Sequence, residues 1–411
     1  MFKTELLEII ANGESSGIEF KRDDIRPEQL AKEVVALVNF QGGRIILGVE
    51  DDGSISGLQR DDTEEWVMNV ISEKVHPLVL PFYEQVKMDD DMVVAVLTFP
   101  QGNAKPYVLR HKGEEKVFIR VGSTSRLATR EQQMRLYEIG GMLHTEALPV
   151  PRTSSNDLDR VRIENYLRDI INDPDIPETE DKWEHRLANL GLLTDPGGMC
   201  TIAGMVLFGK RPRQHLKQSG LRVFAFNSTQ KEYKAELDTI LDAPFVGRWD
   251  FSHGSKQLID EGLIERFLQK IELFISQETN AIDANFRREK QYSYPAEAIR
   301  EILVNAMVHR DWTRFVDIEV GIYSDRFEVI SPGSLQNSMT IEKMIAGQRY
   351  TRNTIIMEIM RDYGYVDFRG MGIRTKVIPK MREFNGTEPI FEATEDYIKV
   401  TLLNKGETTK F

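Results

Sequence analysis

Cysteine is almost missing from this chain. Of 411 residues only Cys200 carries a thiol, which excludes an internal disulfide and a cysteine-based zinc site. Long apolar runs are missing too, and no stretch approaches the roughly 20 residues a membrane-crossing helix needs. The opening MFKTELLEIIANGESS is interrupted by Glu5 and Glu8 and does not read as a secretory leader. Together these absences predict a reducing, cytoplasmic setting with no membrane partner. Positive charge is also short: the formal net charge is −12, so a polyanion must be met by a local patch rather than by the whole surface. The histidines are scattered with no close pair for a metal, and the serine nucleophile elbow G-x-S-x-G is absent.

The 41% hydrophobic and 29% charged content is that of a folded, water-facing protein rather than a disordered one. At about 150 residues per domain, the length predicts two or three. Three stretches differ in character, and the fold class they predict is α+β.

In the first stretch, residues 1–145, a helical pattern from Pro27 to Phe40 places Leu30, Val34, Leu37 and Val38 on one side. GGRIILGVEDDGSISGL then reads as strand, Asp-Gly turn, strand. Further strands are predicted at Val93–Phe99 and Lys116–Val121, with a helix from Thr129. A basic stripe runs through Lys105, Arg110, Lys112, Lys116, Arg120, Arg126, Arg130 and Arg135, against Glu114, Glu115 and Glu131.

LPVPRTSSND marks a boundary. The second stretch, 150–290, reads as a connector: a helix over Arg160–Ile171, then helix, Asp-Pro-Gly-Gly turn and apolar segment, an order that suits a small winged-helix-like unit. GMVLFGKR, Gly204 to Arg211, has the spacing of a phosphate loop up to its lysine. Its four intervening residues are apolar, however, and Arg211 replaces the hydroxyl that would face magnesium. HRD at 309–311 shares letters with a kinase catalytic loop but lacks the asparagine and glycine loop that go with it.

The third stretch, 291–405, opens with YPAEAIREILVNAMVHRDW. Glu297, Glu301, Asn305 and His309 are four residues apart, so a helix stacks them on one side. An ATP site needs a magnesium ligand, a base to polarise water and backbone amides close to phosphates. Glu301 and Asn305 are of the first two kinds. RGMGI, Arg369 to Ile373, supplies the third, since glycine lets backbone approach and a helix N-terminus attracts anions. SPGSL, Ser331 to Leu335, is a second glycine turn following a strand.

This order of blocks resembles the gyrase, heat-shock chaperone, histidine kinase and MutL superfamily of Bergerat-fold ATPases, and more closely its branch related to a RecG helicase C-terminus. The resemblance implies ATP and Mg²⁺ as cofactors, with Glu301 orienting water, Asn305 holding the metal, and Gly333, Gly370 and Gly372 lining the nucleotide beside Arg369. The superfamily's aspartate that reads the adenine amine is replaced here by Ile330-Ser331.

ESSGIEFK, Glu14 to Lys21, VNFQGGRIILGVEDDGSISGL and FIRVGSTSRLAT, Phe118 to Thr129, together resemble the Schlafen-type Alba-like domain. That resemblance implies nucleic-acid binding, DNA rather than RNA, with Arg120, Ser123 and Arg126 at the phosphates. The pairing of domains implies a nucleotide-dependent transcriptional regulator acting as a homo-oligomer. The alternative it also implies is a metal-dependent ribonuclease, conceivable in phage defence, whose acids are Glu14, Glu19 and Glu50 or Asp51.

Overall fold

The computed structural model describes residues 1–88, 92–251, 256–282, 288–335, 339–348, 350–366 and 372–404, with 277–282 and 288–290 given by backbone alone. The chain divides into two compact units, Met1–Leu143 and His144–Phe411. Both are α+β.

The first unit is built on a four-stranded sheet. Its order is Ile18–Lys21, Gly43–Leu47, Val93–Phe99, Phe82–Lys87, with the first pair parallel and the others antiparallel. Strand alternation sends Ile45, Leu47, Ala95 and Leu97 to one face and Ile46, Val94 and Val96 to the other. The first face is covered by the helices Pro27–Asn39 and Thr63–Lys74, the second by Lys3–Asn12. Burial on both faces explains why these strands read as unbroken apolar runs. The expected Asp-Gly turn forms, but its second strand shrinks to a single bridge between Val49 and Ile55. Pro27 starts its helix, where a missing N–H costs nothing. That helix is buried far more widely than one stripe, and Glu33 is buried with it. A hairpin of Phe118–Val121 and Thr124–Leu127 precedes the helix Arg130–Ile139, which Thr129 and Gln132 cap reciprocally.

The second unit carries a six-stranded mixed sheet, in the order Leu237–Leu241, Leu221–Ala225, Ile318–Ile322, Arg326–Pro332, Tyr397–Leu403, Ile390–Ala393. Its single parallel pair joins Leu221–Ala225 to Ile318–Ile322. The stretch expected to be a separate connector over 150–290 therefore supplies two strands of the sheet expected to belong to 291–405. One core also spans both: Phe208, Phe267, Leu303 and Phe327 share a cluster. The apolar segment of the expected winged-helix-like unit forms the helix Ile202–Phe208, every residue of which is buried. The same burial disposes of the phosphate-loop spacing in GMVLFGKR.

Candidate functional site

The helix Ala296–His309 crosses the second unit with most of its residues buried, Pro295 preceding it. Along its length Glu301, Asn305 and His309 all line one cavity of about 340 Å³. Val329, Ile398 and Val400, from the neighbouring strands, form an apolar floor. Asn305 Nδ2 donates to Glu301 Oε1 at 3.3 Å, and Lys376 Nζ stands 3.8 Å from Glu301 Oε2. With its amide nitrogen committed there, Asn305 keeps a carbonyl oxygen with no protein donor among the described residues. Glu301 is only 7% exposed, and its side chain lines the cavity wall.

Gly372 is placed against this pair. A Cβ at that position would fall inside the Glu301 carboxylate, so only glycine lets the chain approach so closely. Gly333 has a different part from the one expected. It has φ +113 and is packed against the Arg352 guanidinium and the Asp311 Cβ, while Ser331 and Ser334 on either side of it line the cavity. Arg369 and Gly370 lie outside the described residues. The donor set fits Mg²⁺: Asn305 and Glu301 offer oxygen, and this ion takes one or two protein ligands with phosphates and water completing its shell.

In the first unit the expected acids do converge, but on a cation. Lys21 Nζ lies 3.7 Å from Glu14, 2.6 Å from Glu19 and 3.8 Å from Asp51. Glu50 instead stands 3.8 Å from Arg22. Burial opposes the charge of Lys21, yet Glu19, Glu14 and Glu33 outweigh it and raise its pKa, so it stays an ammonium. Burial raises the pKa of Glu19 against the pull of Lys21 and Arg120. As they stand, these carboxylates surround an ammonium and not a space for a divalent ion. Among the described residues no group of three His, Cys, Asp or Glu side chains is disposed to hold a metal.

Arg120 was expected at the surface and is found inside. Its side chain is wholly buried, bonded to Glu19 at 2.6 Å, Glu33 and Ser125 Oγ, and to the carbonyls of Ser15 and Ser16. An arginine so enclosed cannot reach a phosphate. Sequence reasoning missed Glu33, although a lone acid inside the apolar run LAKEVVAL was a usable signal. The rest of the stripe also thins out. Lys105 is buried with its ammonium on the Phe40 carbonyl, Arg110 pairs with Glu115, and Lys116 with Glu114. Ser123 and Arg126 remain exposed at the hairpin, with Arg130 just beyond. Neither arginine has an ion-pair partner among the described residues.

A family model described as "Schlafen, AlbA_2" matches residues 14–129, and one described as "Putative ATP-dependent DNA helicase recG C-terminal" matches residues 316–402. The chain carries a Schlafen AlbA_2 domain and a RecG C-terminal-type domain. The Schlafen AlbA_2 match takes in Glu14, Glu19, Asp51, Arg120 and Arg126. The RecG C-terminal-type match begins after the helix bearing Glu301 and Asn305. Among solved structures, the DIP2311 protein from Corynebacterium diphtheriae is 20% identical with a TM-score of 0.45, over 98% of this chain and 80% of that one. The N-terminal domain of a RecG-related protein from Nitrosomonas europaea is 21% identical with a TM-score of 0.25, over 31% of this chain and 94% of that one. No curated protein matches the chain. Among the described residues no helix is long and apolar enough to cross a membrane.

Proposed function

We propose that this chain is a nucleotide-dependent nucleic-acid-binding protein. Its second unit, a divergent Bergerat-type domain, binds ATP with Mg²⁺; its first unit binds DNA through the hairpin bearing Ser123 and Arg126. The observation that carries the reading is the placement of Glu301 and Asn305, one helical turn apart, on the wall of a cavity within the range of small-ligand sites, about 300–1,000 Å³. Asn305 Oδ1 would hold the metal, which supplies charge neutralisation at the phosphates. Glu301, oriented by the Asn305 amide and standing against Gly372, would accept a proton from an attacking water. Action as a cytoplasmic, homo-oligomeric transcriptional regulator is the setting this reading favours. Calorimetry with millimolar ATP and Mg²⁺ tests it: intact protein should bind, and Asn305→Ala should weaken the magnesium-dependent part. No heat from the intact protein would sink the reading.

A second reading, metal-dependent cleavage of RNA, is favoured by the convergence of Glu14, Glu19 and Asp51 on one point. The donors do not fit a metal while Lys21 occupies that point, so no step is assigned to them. Cleavage of structured RNA with Mg²⁺ or Mn²⁺, lost in both Glu14→Ala and Glu19→Ala, would establish it. Binding of labelled nucleic acid without cleavage would exclude it.

A further inference from the structure

The helix Arg130–Ile139, near the end of the first unit, carries large side chains that the unit leaves uncovered. Helical spacing brings Arg130, Gln133, Met134 and Tyr137 to one side of it. Beyond its end the chain doubles back, and the amides of Met142 and Leu143 both donate to the Tyr137 carbonyl. These six residues line one open recess. Tyr137 is 41% exposed, Met134 42% and Met142 61%, so apolar surface is gathered in one place rather than scattered singly. The platform is firm. Thr129 and Gln132 cap the start of the helix, and the Gln133 side-chain amide donates to the Ala128 carbonyl at 3.0 Å. At the other end Gly140 stands so close to the Lys105 carbonyl that a Cβ would overlap it.

The charge beside this recess selects what covers it. Arg130 belongs to its lining, and Arg126 lies four residues earlier, so their Cα atoms are at most about 14 Å apart. Arg126, Arg130 and the half-buried Arg135 have no ion-pair partner among the described residues. The acids between 124 and 143 are Glu131 and the buried Glu138, too few to balance them. A second copy seated here about a two-fold axis would bring these arginines toward their own counterparts, which is repulsive. A duplex would neutralise the arginines, but its bases are stacked and paired, and it has no free apolar face for Tyr137 and the methionines. A single strand offers both, phosphates to the arginines and an open base face to the ring.

Resting on the nucleic-acid reading above, we propose that this recess is a base-stacking site for single-stranded nucleic acid. Tyr137 carries a base, Met134 and Met142 flank it, and Arg126 and Arg130 hold the adjoining phosphates. Stacking asks only for a π-face, so the site recognises the unpaired state of a strand and not its sequence.

Fluorescence anisotropy on the full chain tests this with labelled probes of about 12 nucleotides, within the span of known single-strand sites. They are an oligothymidylate, an oligouridylate, an abasic strand of the same charge and a DNA duplex. Wild type should bind the better of the two base-bearing strands about tenfold more tightly than the abasic strand, the scale of one base–aromatic stack, and more tightly than the duplex. Which of the two is better identifies DNA or RNA as the source of the strand. Tyr137→Ala should remove the advantage without changing the abasic strand, and Tyr137→Trp, which restores a π-face, should keep it. Arg130→Ala should weaken every probe. Equal wild-type affinity for the base-bearing and abasic strands overturns the inference while leaving nucleic-acid binding intact. So does tighter binding of the duplex. So does a Tyr137→Ala chain that keeps the advantage but turns from dimer to monomer by light scattering, which would make the recess an interface between copies. Failure of wild type to bind any probe overturns the nucleic-acid reading itself, and this inference with it.

Discussion

The Arg120 guanidinium lies 2.6 Å from Glu19 Oε2, and none of the arginine side chain is open to solvent. Glu33 and Ser125 complete the enclosure, with Ser125 Oγ also donating to Glu33. The ion group ties together the strand Ile18–Lys21, the helix Pro27–Asn39 and the C-terminal hairpin of the first unit. Removing one side of a buried pair costs about 3–5 kcal/mol when the other charge is stranded. Here Glu19 keeps Lys21 at 2.6 Å, while Glu33 and the carbonyls of Ser15 and Ser16 lose their guanidinium. Arg120→Ala should therefore lower the unfolding temperature of the first unit sharply, and Glu19→Gln in the same chain should restore part of it. Thermal unfolding followed by circular dichroism checks this. An Arg120→Ala protein as stable as wild type would mean that the pair is not formed.

Arg126 should behave in the opposite way. It is exposed, unpaired among the described residues, and close in sequence to Arg130. Arg126→Ala should leave stability unchanged and weaken nucleic-acid binding. Neutralising one phosphate fewer should make the log K against log salt slope shallower by about 0.7–0.9. Lys112, at the tip of a separate turn, is the control. Fluorescence anisotropy across a salt series separates the cases; equal effects of Arg126→Ala and Lys112→Ala would make the hairpin an ordinary solvated surface.

These two arginines show where sequence was informative and where it was not. RIILGV and VVAVLTF could be read as strands because their apolar density is local, and both form strands over nearly those residues. The column of Glu301, Asn305 and His309 was equally legible, since helical spacing alone brings its members to one side. Partnership across the chain was not. The enclosure of Arg120 depends on Glu19 and Glu33, which two other elements supply, and nothing in FIRVGSTSRLAT reveals them. The parallel pairing of Leu221–Ala225 with Ile318–Ile322 was hidden for the same reason, as a long intervening segment separates the strands. IEFK, too short to read as a strand by pattern, becomes one by pairing with Gly43–Leu47.

His309 gives a prediction about acid. Burial, and then the neighbouring Arg352, hold its pKa in the folded chain down to about 4, below its ordinary 6.5. Between those values the unfolded chain takes up a proton that the folded chain refuses. The stabilisation is therefore complete above 6.5 and is lost as pH falls toward 4. The slope contributed is about 1.4 kcal/mol per pH unit within that window. His309→Gln cannot titrate and should flatten the dependence by that amount. Urea unfolding at several pH values between 4 and 7 measures both. Parallel pH profiles for the two proteins would show that the imidazole titrates freely.

Gly372 and Glu301 offer the sharpest test of the cavity's geometry. A methyl group at 372 has nowhere to go except into the Glu301 carboxylate. The carboxylate is the end of a flexible side chain, so the fold can survive by swinging it aside. Doing so breaks its hydrogen bond with Asn305 and its approach to Lys376. Gly372→Ala should therefore cost about 1–3 kcal/mol, the usual range for overpacking. It should also weaken magnesium-dependent nucleotide binding, because the oriented pair is disrupted. The cause can be isolated with a double-mutant cycle. In a Glu301→Ala background the obstructing carboxylate is gone, and the stability cost of Gly372→Ala should fall close to zero. A cost that stays the same in both backgrounds would place the clash in the backbone around residue 372 and remove the argument that glycine is there for Glu301.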